Sequence, residues 1–574
     1  MGAASEDSGW RRRLPSISVA RWLALAGSLA AVLLGLWAAA EAVHLVWKAA
    51  SPLPIADQWD EFVTGRALSL KWLFSQHNEH RIAAPRLFFL IDAYLFSERN
   101  VFPFCCSLVI LLATSVAVAL YSAPTWRRLG SAQAWSWGLS LCFLFWAVQQ
   151  ENLMWAFDVQ NFLVNFLAVV IFGYASKAAP SAKATILLLV LEFLCVYSMA
   201  SGVVVPAIAA ALAIYLGWPW RYARWLTAAA VALPASYMIG YVRPVQYTSP
   251  FDALHAMPAL VKYYLVLLGA PFGVAFGDLE SGAAINLAFV VGVLGLAFFV
   301  CAAVVFLRSA TRDSSISAML CLMAYVLLVN ALTALGRVGL GVDQALTSRY
   351  TSVALLFWVS ALTLAYSVAQ RRGPAAVAFV SVATAPLLVL VAMNQQEMVS
   401  GIEDGWRPYV RSMSAAPALL AGVNDKELLS HITFDTAAAI RKSKALRDGH
   451  ASIFSDPWSH WLGAPLRAHA SPRDGGCAGS VSLTKAIDDS SAAGWRVVGR
   501  AWDTQRNEAP RRLLLTDEEG AIVGFAVGGL RVDPPSDDNW IGEVAGRPAR
   551  PVEVYALSKS DEACLVARVT LGQP

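Results

Sequence analysis

The residues that could do chemistry in this chain are concentrated in one polar stretch, 48–100, which follows the first of many long apolar runs. Its opening, SPLPIADQWDE, uses two prolines to end a helix and then sets Asp57, Asp60 and Glu61 about one helical turn apart. Carboxylates at the mouth of a bilayer are costly, so they read either as acid–base groups or as ordinary solvated surface acids. QHNEHR follows at 76–81 and packs His77, Asn78, Glu79, His80 and Arg81 into one short turn. His77 and His80, three apart, approach a metal-binding pair with Glu79, but no third well-spaced ligand follows, so no metal site is assigned. A phosphate or a sugar hydroxyl suits the cluster better, because Arg81 can grip phosphate with two parallel N–H donors.

Three later turns repeat this polar density. QQENLMWAFDVQN, 149–161, offers Glu151, Asn152, Asp158 and Gln160 around Trp155, a set suited to sugar hydroxyls with an aromatic face, or to an interfacial aromatic belt with helix caps. GYVRPVQYTSP carries Arg243, and GRVGLGVDQALTSRYT carries Arg337, Asp343, Arg349 and Tyr350. Arginines beside membrane spans require an anionic partner, either a protein carboxylate or the phosphate of a lipid-linked substrate.

The elements that must position these groups are apolar helices. Of 574 residues, 57% are hydrophobic and 15% charged, and the mean hydropathy is +0.53, which defines a polytopic membrane protein. A net charge of +4, scattered in short clusters rather than one stripe, is too small for this size to suggest a nucleic-acid partner. About eleven spans are expected, at 21–47, 101–121, 135–149, 161–176, 183–199, 202–217, 224–242, 283–307, 317–335, 350–369 and 374–393. The first follows Arg11, Arg12 and Arg13 without a cleavage pattern, so the amino terminus is expected in the cytoplasm. Arg127/Arg128, Lys177/Lys183, Arg221/Arg224, Arg308/Arg312 and Arg371/Arg372 then share that side, provided 258–276 is interfacial or re-entrant. The loop 48–100 and everything after 393 are thereby expected outside the cytoplasm. Within the loop, 62–74 and 83–96 have amphipathic spacing and are expected to be helices roofing a cavity.

Residues 394–574 lose the apolar runs and form a separate soluble region, helical over 394–475 and a small antiparallel β-sandwich over 476–574. Cys477 and Cys564 lie there as a candidate disulfide, while the other six cysteines lie in apolar runs.

The whole membrane part, 1–393, resembles the GT-C class of integral-membrane glycosyltransferases, with an acidic motif in the first external loop, amphipathic loop helices and a soluble carboxy-terminal domain. QHNEHR, QENLMWAFDVQ, SMASG and the SRYT of 348–351 look like runs in bacterial inner-membrane proteins placed near that class. The resemblance implies transfer of a sugar from a polyprenyl-phosphate donor to a glycan, lipid or protein acceptor on the extracytoplasmic (periplasmic) face, with inversion. It also implies a loop carboxylate as general base, Asp57 first and Asp60 or Glu61 second, and Arg81, Arg243, Arg337 and Arg349 to steady the departing phosphate. Some members of the class use a divalent cation. DQWDE lacks the DxD or ExD spacing of several of its families, so all three acids stay in play. A flippase or transporter of lipid-linked glycan and a non-catalytic envelope assembly protein are the competing readings.

Overall fold

The computed structural model describes residues 19–122, 131–244, 247–277, 282–309, 312–404, 408–489, 492–530, 537–546 and 551–572. Arg11, Arg12, Arg13, Arg127 and Arg128 lie outside the described residues. Eight of the described helices are long and apolar enough to cross a membrane: Val19–Ala49, Val101–Ser122, Ala156–Lys177, Met257–Ala275, Gly282–Arg308, Ser314–Leu340, Ser348–Arg372 and Pro374–Gly401. The expected eleven are reduced because four runs fall short. Ser131–Leu144, Ala182–Val196 and Val205–Tyr215 span only 14, 15 and 11 residues. Trp220–Met238 reaches 19 but carries Arg221 and Arg224 in its first turns and Pro234 inside.

The stretch expected to be interfacial or re-entrant is instead one continuous helix, Met257–Ala275, with the length and apolarity of a crossing helix. It lies tightly along Gly282–Arg308: a Cβ on Gly269 would meet the Ala288 carbonyl, and one on Gly292 the Leu265 carbonyl. Small residues that let two backbones touch are the usual basis of helix association where no hydrophobic effect operates.

Basic helix ends gather at one end of the bundle. Arg371 pairs with Asp313, Lys177 donates to the Leu120 carbonyl at 3.4 Å, and the Arg312 guanidinium lies 5.5 Å from the Tyr215 ring. The first loop contacts the carboxy-terminal region, Lys442 pairing with Asp60 and Ser452 donating to the Pro52 carbonyl.

That region begins with short helices, the longest Thr436–Asp448, and continues into strands. After a hairpin in the first loop, β1 Gln76–His77 and β2 His80–Arg81, these are β3 Ser471–Arg473, β4 Cys477–Ile487, β5 Gly494–Asp503, β6 Arg512–Thr516, β7 Ile522–Gly528, β8 Asn539–Ala545, β9 Val552–Leu557 and β10 Glu562–Val569. They form one continuous sheet, ordered β3-β10-β9-β6-β7-β8-β5-β4, in place of the two stacked sheets expected. The sheet curls around Val497, Leu513, Leu515, Trp540 and Val554, so that the Cys477–Cys564 disulfide joins β4 to β10 near its opposite edges. Curling hides backbone edges that a flat sheet would expose. A second core, with Leu53, Trp59, Leu419, Phe454 and Phe525, joins the sheet and its helices to the first loop.

Candidate functional site

Only Ala83–Phe96 of the two expected loop helices is fully formed; 62–74 contributes the single turn Leu70–Leu73, capped by Ser69. QHNEHR is not helical either. Asn78 takes a left-handed φ of 47°, which Asn tolerates, and the chain reverses so that His77 pairs with His80 across β1 and β2. The two imidazoles consequently serve different carboxylates.

His77 Nδ1 lies 3.0 Å from Glu61, whose two oxygens also accept from Arg86 Nε and Nη2, both at 2.8 Å. Arg86 spends its remaining nitrogen on the carbonyls of Trp72, Leu73 and Ser75, and it is 1% exposed. Burial would raise Glu61, but His77 and Arg86 outweigh it and hold the carboxyl at about 2. A carboxylate so bound and so acidic is held as the fold's own ion-pair partner, which weighs against Glu61 as the base. Asp60 is committed differently, being exposed and paired with Lys442 of the carboxy-terminal region.

Arg81 is likewise occupied. Its guanidinium donates to the carbonyls of Phe74, Tyr237 and Ile239 at 2.7, 2.8 and 2.5 Å, closing the end of Trp220–Met238, so it does not offer the phosphate grip expected of it. Gln76 joins the same region through two hydrogen bonds to Val242. Arg243 is exposed beside it.

Glu79 anchors a second network. One oxygen meets Arg337 Nη2 at 2.8 Å and His80 Nε2 at 3.5 Å; the other accepts from the Tyr247 hydroxyl at 2.5 Å. Burial opposes ionisation, but His80, Tyr247 and Arg337 hold Glu79 at about 2. Burial, offset partly by Glu79, lowers His80 and favours the neutral ring, whose Nδ1 accepts from the Ala200 amide at 3.3 Å.

Beside these networks a third set of charges, Asp57, Asp158, Glu151 and Arg349, forms the mouth of the site. Asp57 is exposed, and one oxygen accepts from Asn78 Nδ2 at 2.8 Å. Among the described residues it has no cationic partner within ion-pair distance, and it lies within electrostatic reach of His80 and of Asp158. Asp158 is in turn within reach of Glu151 and Arg349. Arg349 approaches Glu151 at 3.8 Å while staying 44% exposed. Tyr350 lies between two cations, 5.9 Å from Arg337 and 5.8 Å from Arg349. Its hydroxyl is oriented by Gln344, which also holds Tyr263. Asn152 ties the turn 149–161 to the turn 336–351 through the Arg349 carbonyl and Ser352.

Beneath the mouth, Asn152 Oδ1, Asp158 Oδ2, Gln160 Oε1 and His77 Nε2 are buried without a hydrogen-bond partner in the protein. Each such orphan costs about 1–3 kcal/mol, and they are the atoms that water or a hydroxyl-rich ligand satisfies. The group of three close metal-type ligand atoms found among the described residues, at Cys477, Asp503 and Cys564, has its sulfurs joined as a disulfide. Arg86 and Tyr247 were not anticipated; a lone arginine on the amphipathic run 83–96 was the available signal for the first, and Tyr247 gave none.

Comparison with protein families, with curated proteins and with solved structures finds no match for this chain.

Proposed function

We propose that the protein is a membrane-embedded glycosyltransferase of the GT-C type, moving a sugar from a polyprenyl-phosphate donor to an envelope acceptor at the polar end of its bundle. The observation that carries the reading is that one exposed carboxylate, Asp57, and the arginine Arg349 both lie within electrostatic reach of Asp158, while Arg349 and Arg337 flank Tyr350. In this reading Asp57 takes the proton from the acceptor hydroxyl as its oxygen bonds to the anomeric carbon. The bond from that carbon to the phosphate oxygen breaks, and the phosphate leaves with the electron pair towards Arg349 and Arg337. The orphaned acceptors of Asn152, Asp158 and Gln160 suit sugar hydroxyls. The apolar helices fit a multi-pass protein, which we place in a bacterial inner membrane with the carboxy-terminal region outside the cytoplasm.

Transport of a lipid-linked glycan is a second reading, favoured by Glu192, a fully buried carboxyl inside Ala182–Val196 with neither oxygen hydrogen-bonded. One assay separates them. Purified protein in lipid is offered a panel of polyprenyl-phosphate sugars, and Asp57→Asn is run beside it. Release of carrier phosphate, reduced about 10²–10⁴-fold by the substitution, supports transfer with Asp57 as base. Undiminished release excludes Asp57, and glycan movement without release supports transport.

A further inference from the structure

Between the first helix, the start of Val101–Ser122 and the carboxy-terminal region lies a cavity of about 470 Å³. Its walls are apolar: Val46 and Trp47 from the first helix, Phe104 and Leu108 from the second long one, Met413 and Trp458 from the region beyond the last. Its lining carries three arginines, Arg99, Arg511 and Arg512, against the acid Asp456; with Asp561 beside Arg512, one positive charge, Arg511, remains in excess. Arg99 is engaged by Ser455 and Asp456, and Arg512 by the Ser558 carbonyl and Asp561. Arg511 is exposed, and among the described residues its guanidinium makes no ion pair. No residue of the Asp57 mouth lines this cavity.

We propose that the cavity holds an anionic phospholipid of the surrounding bilayer, its acyl chain against the first helix and its phosphate on Arg511. The apolar walls argue against free inorganic phosphate, and the charge excess argues against a zwitterionic or neutral lipid. Trp47, 81% exposed at the end of a crossing helix, supplies the aromatic edge that favours the headgroup layer. Such a lipid would tie the helical bundle to the carboxy-terminal region, away from the carboxylate that does chemistry. The inference rests on the membrane reading above.

The test uses the full chain in nanodiscs, irradiated with phosphatidylglycerol carrying a diazirine near its acyl terminus, with adducts mapped by mass spectrometry. Adducts are expected on residues 43–50 and 101–108 at several times the density found on Gly282–Arg308. They should fall about five-fold in Arg511→Gln, the share of one arginine near an anionic surface. The same probe built on phosphatidylcholine should label weakly in the unaltered protein. Equal labelling by both headgroups overturns the proposal, as does no enrichment at 43–50 or an unchanged pattern in Arg511→Glu. A chain that carbonate strips from membranes refutes the membrane reading itself, and the proposal with it, before any irradiation.

Discussion

Asp57 and Glu61 stand four positions apart in one acidic motif, yet they meet opposite fates. Glu61 is buried and bound on both oxygens by Arg86 and His77, whereas Asp57 faces outward with a neutral amide for a partner. A buried charge must be fully paired or it destabilises the fold, so the fold has claimed Glu61 and left Asp57 at the surface without a cationic partner among the described residues. The same division separates the arginines. Arg81 is consumed by backbone carbonyls and Arg86 by Glu61 and backbone carbonyls, while Arg349 is half exposed beside Tyr350. Charge density alone marks both the groups that build a site and those that act in it.

The contrast can be broken most severely at the closed pair. Glu61→Ala strands Arg86 in the interior and is expected to lower stability by about 3–5 kcal/mol, read by thermal unfolding of the purified protein. An unaltered unfolding curve would mean that the pair is not closed to water. A smaller effect is expected at the open side. Arg349→Gln should leave unfolding unchanged and lower kcat/KM about 10- to 100-fold, the worth of one charge-assisted contact to phosphate. Equal loss of stability would return Arg349 to the structural class.

A third carboxyl sharpens the comparison from the other direction. Glu543, wholly buried in the sheet, is pushed up to about 10 by burial and by the neighbouring Asp425 carboxylate, which grips Arg496 at 2.5 and 2.6 Å. It is therefore a neutral acid at pH 7. Its folded-state pKa is raised, so its stabilising contribution is complete below the ordinary carboxylate range and is lost as pH rises towards 10. Glu543→Gln, which retains a donor, should gain on the parent protein as pH increases, by at most ~1.4 kcal/mol per unit, in denaturation series at several pH values. A gain that shrinks with rising pH would show that Glu543 is ionised.

Much of the architecture could be read from residue order. Apolar runs long enough to cross a bilayer marked the eight long helices, including the awkward 258–276, whose length was plain while its role was not. Runs such as 202–217 misled because apolarity persists through a 3-10 turn at Ala200–Val204, where the helix has yet to begin. The strands were visible as alternating segments, but nothing local specifies that eight of them join into one curled sheet, since that depends on pairings such as β3 with β10 across about ninety residues. In the site, QHNEHR and the two arginine-bearing turns were legible as polar clusters. Which member of each cluster is free was not, because the deciding partners, Arg86 for Glu61 and the carbonyls of 237–239 for Arg81, arrive from other segments.

The first loop is held in place by residues made long after it. Ser452 donates to the Pro52 carbonyl across 400 positions and through its amide to Ser97, the Ala56 amide donates to Ile432, and Lys442 pairs with Asp60. At ribosomal rates of roughly 5–20 residues per second, those partners appear some 20–80 s after the loop. Through that interval the loop lacks the contacts that fix its place at the bundle end, so a nascent or prematurely terminated chain would display the acidic motif without them. The first loop therefore reaches its final place only after residues 432–452 have been made.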